Sequence, residues 1–414
     1  MFTNPFGRLR KIRSQKSEVR SQNGYRNQFE ALKQEHAWRE LRTVSGRQGA
    51  HISIAAKRYV NFGSNDYLGL SQHPALLRAA QDATGRWGTG AQASRLVSGN
   101  LELHEQLERA TAEWKQSEAC LVYPSGYSAN VGLLSALFGK GDVIMLDKHC
   151  HASLVDGARL SGATIRVFPH QDLGYLKKLL KQTQTARQRA VVTEGIFSMA
   201  GDVPDLPAII EIMKMRNVER GTRNADMFLM VDDAHATGVL GALGRGSREY
   251  HFPTLHASRF TLHDGIEIIW TGTYSKALGS QGGFVCGSRA LRDFLINSSR
   301  SFIYSTGLAP ACAGAALAAL ELLMRGEAPL SKLRQVIATV TGDVQRQSPI
   351  VPIHMGSNDA VLAAQARFMD LGYLVPAMRY PTVRRGEEML RVALCAQQVG
   401  LPESIFGLLR IKHE

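Results

Sequence analysis

Three short runs carry side chains suited to chemistry. Lys276 lies in TGTYSKALGSQGG (Thr271–Gly283), which follows an apolar stretch, ends in glycines and holds no carboxylate. A lysine held near apolar walls has its amine pKa lowered, which suits it to Schiff-base formation. Taken alone, the segment fits an exposed lysine equally well. The second run, FLMVDDAHATG (Phe228–Gly238), delivers Asp232, Asp233 and His235 at the carboxyl end of a hydrophobic strand. Side chains alternate along a strand, so Asp232 shares a face with Ala234 while Asp233 takes the other. A buried carboxylate is costly unless a cation or hydrogen bonds satisfy it.

A protonated pyridine nitrogen supplies such a cation, and the ring of pyridoxal 5′-phosphate (PLP) needs such an aspartate to remain an electron sink. A helix cap and a metal site are the alternatives, although a metal asks for more nearby ligands than this run offers. The third run, VYPSGYSANVGLL (Val122–Leu134), reads as strand, small-residue turn and helix start. Backbone N–H groups of Gly126 and Tyr127 at such a helix start favour an anion such as phosphate. The run has neither the dinucleotide glycine pattern nor the Walker lysine, which argues against nicotinamide and ATP.

The elements that position these runs follow from apolar patterning. Short β-branched stretches at Ala119–Tyr123, Val143–Leu146, Thr164–Phe168, Ala190–Thr193, Phe228–Val231, Ile266–Thr271 and Phe284–Cys286 alternate with helical ones. This pattern predicts βαβ units around a largely parallel sheet, with the ligand beyond the carboxyl ends of the strands. Leu103, Leu107, Ala110 and Trp114 predict an amphipathic helix over Leu101–Lys115 whose stripe is core. Further helices are expected at Cys312–Met324, Ser357–Leu371 and Glu403–Ile411, and strands at Tyr373–Met378 and Met389–Leu394. The polar stretches Arg216–Asp226 and Arg248–Gly265 are expected as surface loops. The division expected is a basic, helical segment over 1–60, a large domain over 61–310 and a small α/β domain over 311–414.

Bulk properties narrow the class. A chain of 414 residues readily buries a core, and no apolar run is long enough to span a membrane. Cys120, Cys150, Cys286, Cys312 and Cys395 lack paired spacing and read as free thiols in a reducing cytoplasm. The basic start, MFTNPFGRLRKIRSQKSEVRSQ, lacks the apolar core of a secretory signal and reads as a solvated leader, with an organelle transit peptide as the alternative. A formal charge of +13 points to anionic partners. No zinc finger, RNP-type motif or basic heptad supports nucleic acid. An acidic carrier protein or a polyphosphorylated thioester fits the charge, as does plain solubility.

Beyond these runs, NFGSNDYLGL (Asn61–Leu70), GTGAQASRLVSGNLELHEQLE (Gly88–Glu108), DKHCHASLVDGARLSGA (Asp147–Ala163), VVTEGIFSMAGD (Val191–Asp202), FIYSTGLAP (Phe302–Pro310) and MRYPTVRRGEEMLRVAL complete a series over nearly the whole chain. In this order they resemble the α-oxoamine synthase family of fold-type I PLP enzymes. The resemblance implies an α/β fold, with a large, mainly parallel-sheet domain flanked by helices and a smaller C-terminal α/β domain. It implies Lys276 as Schiff-base lysine, Asp232 on the pyridine nitrogen, His235 and Ser198 toward the phenolic oxygen, and His151 stacked on the ring. Gly126, Tyr127 and Thr273 would hold the phosphate, with Ser305 and Thr306 reaching it from the second subunit of a homodimer. Arg391 with Asn65 would take the amino-acid carboxylate by a bidentate contact. Arg39 would take the far carboxylate of a pimeloyl chain. The implied reaction is decarboxylative condensation of an amino acid, L-alanine, with an acyl thioester carried on coenzyme A or a carrier protein. No metal, nucleic acid or membrane is expected. Ala200, Gln92 and Ala93 depart from the family pattern, and the two polar loops are longer than usual. A basic binding protein on a degenerate form of this fold is the alternative of a different class.

Overall fold

A computed structural model describes residues 29–34, 38–218, 227–254, 262–263, 265–380 and 382–401. The basic leader and the helix expected at Glu403–Ile411 fall outside these residues. The chain forms two compact units, one from residues 1–63 and 352–392, the other from residues 64–351 and 393–414.

The described part of the smaller unit begins with a short helix over residues 29–34, followed by strands β1 (Val44–Ser45), β2 (His51–Ile54) and β3 (Lys57–Asn61), which pair antiparallel in sequence. A helical segment was expected before residue 61; the helix over residues 29–34 agrees with it, and the strands from Val44 do not. The described strands arise because Ala55 and Ala56 take φ of 48° and 61°, a tight hairpin turn normally signalled by Asn-Gly. Two alanines there leave no such signal.

The larger unit is built on strands β4 (Ala119–Tyr123), β5 (Val143–Asp147), β6 (Thr164–Phe168), β7 (Arg189–Glu194), β8 (Met227–Asp232), β9 (Leu262–His263), β10 (Ile266–Thr273) and β11 (Gly283–Gly287). They order as β4-β11-β10-β8-β7-β5-β6, with β9 beside β10. The run from β10 to β6 is parallel, and β11 is antiparallel to both of its neighbours. The sheet is therefore mainly parallel, as expected. Leu121, Ile144, Leu146, Val192, Met230 and Ile269 share a core with Leu133 and Leu134 of the helix Gly126–Leu137. Ala190–Val192 and Met227–Val231 are buried continuously, the pattern of strands covered on both faces.

The helix Pro310–Met324, expected to open the small domain, instead packs on the helices Pro74–Trp87 and Glu102–Lys115 of the larger unit. Gly314 permits this close approach, since a Cβ there would stand 2.7 Å from the Ala79 carbonyl oxygen. On the helix Glu102–Lys115 the buried face holds Leu103, Leu107 and Trp114 as expected, and also His104, Glu108, Thr111 and Lys115.

Strand β12 (Ile350–His354) was not expected. The stretch Tyr373–Met378, expected as one strand, is two: β13 (Tyr373–Leu374) joins β3 in parallel and β14 (Ala377–Met378) pairs antiparallel with β15 (Met389–Ala393). Pro376, which lacks an N–H for a ladder, stands at the break. The helix Asn358–Asp370 is capped by Ser357, close to the expected bounds. In the stretch expected as the second surface loop, the helix Ser247–His251 and β9 appear. The helix Leu206–Val218 enters the first such loop. No helix of the described residues is long and apolar enough to cross a membrane.

Cys120 and Cys286 are far apart in sequence but directly opposed across β4 and β11, both buried thiols. Burial and their mutual contact raise the Cys120 pKa.

Candidate active site

The carboxyl ends of β7, β8 and β10, with the turns after β4 and β5, assemble the candidate residues of the larger unit. Asp232 ends β8, 5% exposed, and opposes Glu194 at the end of β7 in the parallel register. Asp232 Oδ2 accepts from Asn130 Nδ2 at 2.6 Å, and Oδ1 from the Ala234 N–H at 2.9 Å. Asn130 also donates to Ser153 Oγ at 2.9 Å, while its own Oδ1 is buried without a partner.

Glu194 accepts from the His151 N–H at 2.5 Å and from the Ser198 N–H. Burial, then the Asp232 charge, pushes the Glu194 carboxyl well above the usual range, against an opposing pull from Lys276. His151 is the first residue of the turn into the helix Ala152–Ser161, and its Nδ1 accepts from the Ser153 N–H at 3.2 Å. Although the ring keeps solvent contact, the surrounding protein is enough to disfavour its charged form. Asp232 pulls that pKa up and Lys276 pushes it down, so desolvation decides the direction. A neutral imidazole suits stacking on a flat aromatic ring.

His235, 6% exposed, meets the Tyr67 hydroxyl at 2.6 Å, which in turn donates to Asn65 Oδ1 at 3.2 Å. Lys276 is half-buried in the turn between β10 and β11. Thr273 Oγ1 braces that turn by donating to the Gly282 carbonyl at 2.7 Å, and Ser275 Oγ lies 2.7 Å from it. Behind it, Gly283 is a place only glycine fits, since a Cβ would stand 2.4 Å from the Gly126 nitrogen. This brings the start of the helix Gly126–Leu137 against β11. Ser125 caps that helix by accepting from the Ser128 N–H at 3.1 Å, leaving the Gly126 and Tyr127 N–H groups without intrahelical partners. The Tyr127 side chain is engaged elsewhere, its hydroxyl 2.6 Å from Asp156.

Ser198 is buried in the loop after β7. That loop is tied down by His170, whose Nδ1 and Nε2 reach Asp147 at 2.8 Å and Asp202 at 2.7 Å. Ser305 is half-buried and Thr306 exposed; Thr306 bridges Ser94 in the segment Gly88–Asn100. In that segment Gln92 holds φ of 65°, a conformation glycine adopts more readily.

In the smaller unit, Arg391 is buried on β15 and its N–H donates to the Pro376 carbonyl at 2.9 Å. Arg39 is exposed and donates to Thr382 Oγ1 at 2.5 Å. Sequence reasoning missed Glu194, Asn130 and Tyr67. Glu194 carried the same signal as Asp232, an acid closing an apolar strand; the other two are recognisable only by long-range pairing.

These residues fit PLP. A helix start with open N–H groups suits the phosphate, a buried carboxylate that accepts hydrogen bonds from neutral donors among the described residues suits a cationic pyridinium, and a glycine-lined turn presents the lysine. Among the described residues no three His, Cys, Asp or Glu side chains gather as metal ligands.

Residues 57–399 match the family described as aminotransferase class I and II. The 8-amino-7-oxononanoate synthase of Geobacter sulfurreducens is 39% identical over 399 residues, spanning 94% of this chain and 97% of that one. A serine palmitoyltransferase from S. paucimobilis with a bound PLP–myriocin aldimine has a TM-score of 0.83 at 24% identity, covering 95% of this chain and 98% of the other. The 8-amino-7-oxononanoate synthase of Francisella tularensis has a TM-score of 0.68 at 27% identity, covering 85% and 95%. Together with the strand-end lysine, aspartate and helix start, these likenesses place the chain in the aminotransferase class I and II family, as a PLP-dependent acyltransferase of the α-oxoamine synthase kind.

Proposed function

We propose that the chain condenses L-alanine with a pimeloyl thioester, on coenzyme A or a carrier protein, to give 8-amino-7-oxononanoate, carbon dioxide and the free thiol in biotin synthesis. The observation that carries this reading is the 39% identity, over nearly the full length of both chains, to a relative named for that product. PLP supplies the electron sink that stabilises negative charge at the amino-acid Cα.

The chain's residues then divide the work. Lys276 holds the cofactor covalently and moves the Cα proton. Asp232, kept in place by Asn130 and Ala234, keeps the ring nitrogen protonated. His151, neutral, stacks on the ring, and Ser198 and His235 reach its phenolic oxygen. The N–H groups of Gly126 and Tyr127, with Thr273, hold the phosphate. Ser305 and Thr306 donate to the phosphate of the neighbouring subunit's site in a cytoplasmic homodimer. Arg391 and Asn65 take the alanine carboxylate.

Arg39 takes the far carboxylate of the acyl chain. Support comes from its surroundings: Arg42 donates to Gln365 Oε1 at 3.1 Å and Arg379 to the Trp38 carbonyl, so among the described residues the hydrogen bonds of these three guanidinium groups go to neutral acceptors. Burial, then repulsion from Arg39 and Arg42, lowers the Arg379 pKa. An anion relieves that repulsion.

A product assay by mass spectrometry tests the reading, offering glycine, alanine and serine against pimeloyl, palmitoyl, acetyl and succinyl thioesters. The expected product comes from alanine and pimeloyl thioester. A preference for serine with palmitoyl, or for glycine with acetyl or succinyl, assigns the chain instead as a serine palmitoyltransferase, 2-amino-3-ketobutyrate ligase or 5-aminolevulinate synthase. Acceptance of longer acyl chains with alanine or other amino acids would indicate an aminoketone signal synthase.

A further inference from the structure

Asp233, next to Asp232, is fully buried and its carboxylate is satisfied by the chain itself. Lys115 Nζ donates to Oδ2 at 2.7 Å, the Ser247 N–H to the same oxygen at 3.2 Å and the Ser247 hydroxyl to Oδ1 at 2.5 Å. The side chains of Lys115 and Asp233 are 1% and 0% exposed, and Lys115 also donates to the Arg245 carbonyl at 2.6 Å. Two glycines make this cluster possible. A Cβ on Gly246, at φ +98°, would stand 2.2 Å from Asp233 Oδ2 and 2.7 Å from Lys115 Nζ; one on Gly195 would stand 2.1 Å from Ser247 Oγ and 2.2 Å from Asp233 Oδ1.

The backbone of Asp233 is held as firmly. Its N–H donates to the Thr271 carbonyl at 2.8 Å, and its carbonyl accepts from Ala236 and Thr237 at 3.0 and 2.7 Å. Those bonds form the turn that carries His235. Thr271 lies on β10, the strand that leads to Lys276.

Stability alone does not account for the pair, because a buried ion pair is commonly no better than apolar residues of the same volume. What the pair adds is a choice between two acids. Consecutive residues at a strand end face opposite sides, and a slip of one residue exchanges them. We propose that Lys115 is a positioning residue: by claiming Asp233, it commits Asp232 to the cofactor side of the sheet and sets the turn that presents His235. This rests on the assignment of Asp232 to the pyridine nitrogen.

The test uses PLP-loaded enzyme and four variants: Lys115→Met, Ser247→Ala, the double change Lys115→Met with Asp233→Asn, and Asp232→Asn as reference. PLP retention is measured by dialysis, the visible absorption is titrated with pH, and the melting temperature is recorded. Lys115→Met should weaken PLP retention about tenfold or more, the range lost when supporting partners of a bound group are removed. It should also move the absorption titration in the same direction as Asp232→Asn. Ser247→Ala should move both readouts the same way by less. The double variant should recover most of the PLP retention, since a single acid is left to occupy the site. A lower melting temperature in Lys115→Met with retention and titration unchanged overturns the proposal. If Lys115→Met does not fold, unchanged readouts in Ser247→Ala overturn it. An unchanged titration in Asp232→Asn removes the nitrogen assignment and the proposal with it, whereas a shift there with none in the clamp variants removes the proposal alone.

Discussion

Asp232 ends β8 and Asp233 follows it directly, yet the two live in different electrostatic surroundings. Asp233 has a lysine, a hydroxyl and a backbone N–H on its two oxygens. Among the described residues Asp232 has only neutral hydrogen-bond donors, an asparagine amide and a backbone N–H, and its neighbour across the sheet is another buried acid, Glu194. The nearby histidine, His151, is held toward its neutral form. One acid is therefore balanced within the chain, and the other is held by neutral dipoles beside a second acid that burial keeps toward its protonated form. The lesson is that a buried acid whose cation is part of the chain serves the fold, while one surrounded by dipoles and a second acid awaits a cationic ligand. The protonated ring nitrogen of PLP is such a ligand.

Asp232→Asn should show the largest effect on this contrast, since it leaves the shape and removes the charge. A loss of about two to four orders of magnitude in kcat/KM is expected, the equivalent of the ~3–5 kcal/mol typical of a broken buried pair. Steady-state kinetics beside the melting temperature of the apoprotein checks it. Little change in kcat/KM would erase the distinction between the two acids.

Glu194 sharpens the comparison. Its folded pKa is raised, so as pH climbs through its ordinary value of 4.5 the unfolded chain releases a proton that the folded chain retains, and stability falls with pH. Glu194→Gln cannot ionise and should flatten that slope in melting temperatures measured from pH 5 to 8. Glu194→Ala instead leaves the His151 and Ser198 N–H groups unpaired, at a cost of about 1–3 kcal/mol. A Gln variant with the wild-type slope would mean that Glu194 is charged in the fold.

His170 should give the smallest effect. Burial lowers its pKa, but hydrogen bonds and charges of Asp147 and Asp202 outweigh this and bring it to about 9, from 6.5. Its stabilisation is complete below pH 6.5 and is lost as pH rises through about 9. Partial exposure of His170 and Asp202 limits the gain to about 1–2 kcal/mol. His170→Gln should therefore melt lower than wild type at pH 6 and converge with it near pH 10. A constant gap across that range would contradict the ion-pair account.

Much of the sheet was legible because strands covered on both faces read as unbroken apolar runs, as Met227–Val231 does. Lys276 and Asp232 were legible for a related reason, as charges placed where such runs stop. Lys115 was not: it ends an amphipathic helix at a position where lysine ordinarily lies in solvent, and its burial is explained by distant partners, Asp233 and the Arg245 carbonyl. Asn130 and Tyr67 likewise acquire their roles from partners more than a hundred residues away, Asp232 and His235. The hairpin at Ala55–Ala56 and the break at Pro376 were missed through local chemistry, one because alanine hides a positive φ and the other because a proline was read through. Helix Pro310–Met324 was assigned to the wrong unit because an apolar helix does not itself say what it packs against.

We propose that the cofactor is carried on Lys276. Purified enzyme loaded with PLP and reduced with borohydride, then digested and mapped by mass spectrometry, tests it most directly. A single pyridoxyl adduct on the peptide containing Thr273–Ala277, absent from Lys276→Ala, is the predicted result. A stable adduct on another lysine, or one that survives Lys276→Ala undiminished, would contradict the account.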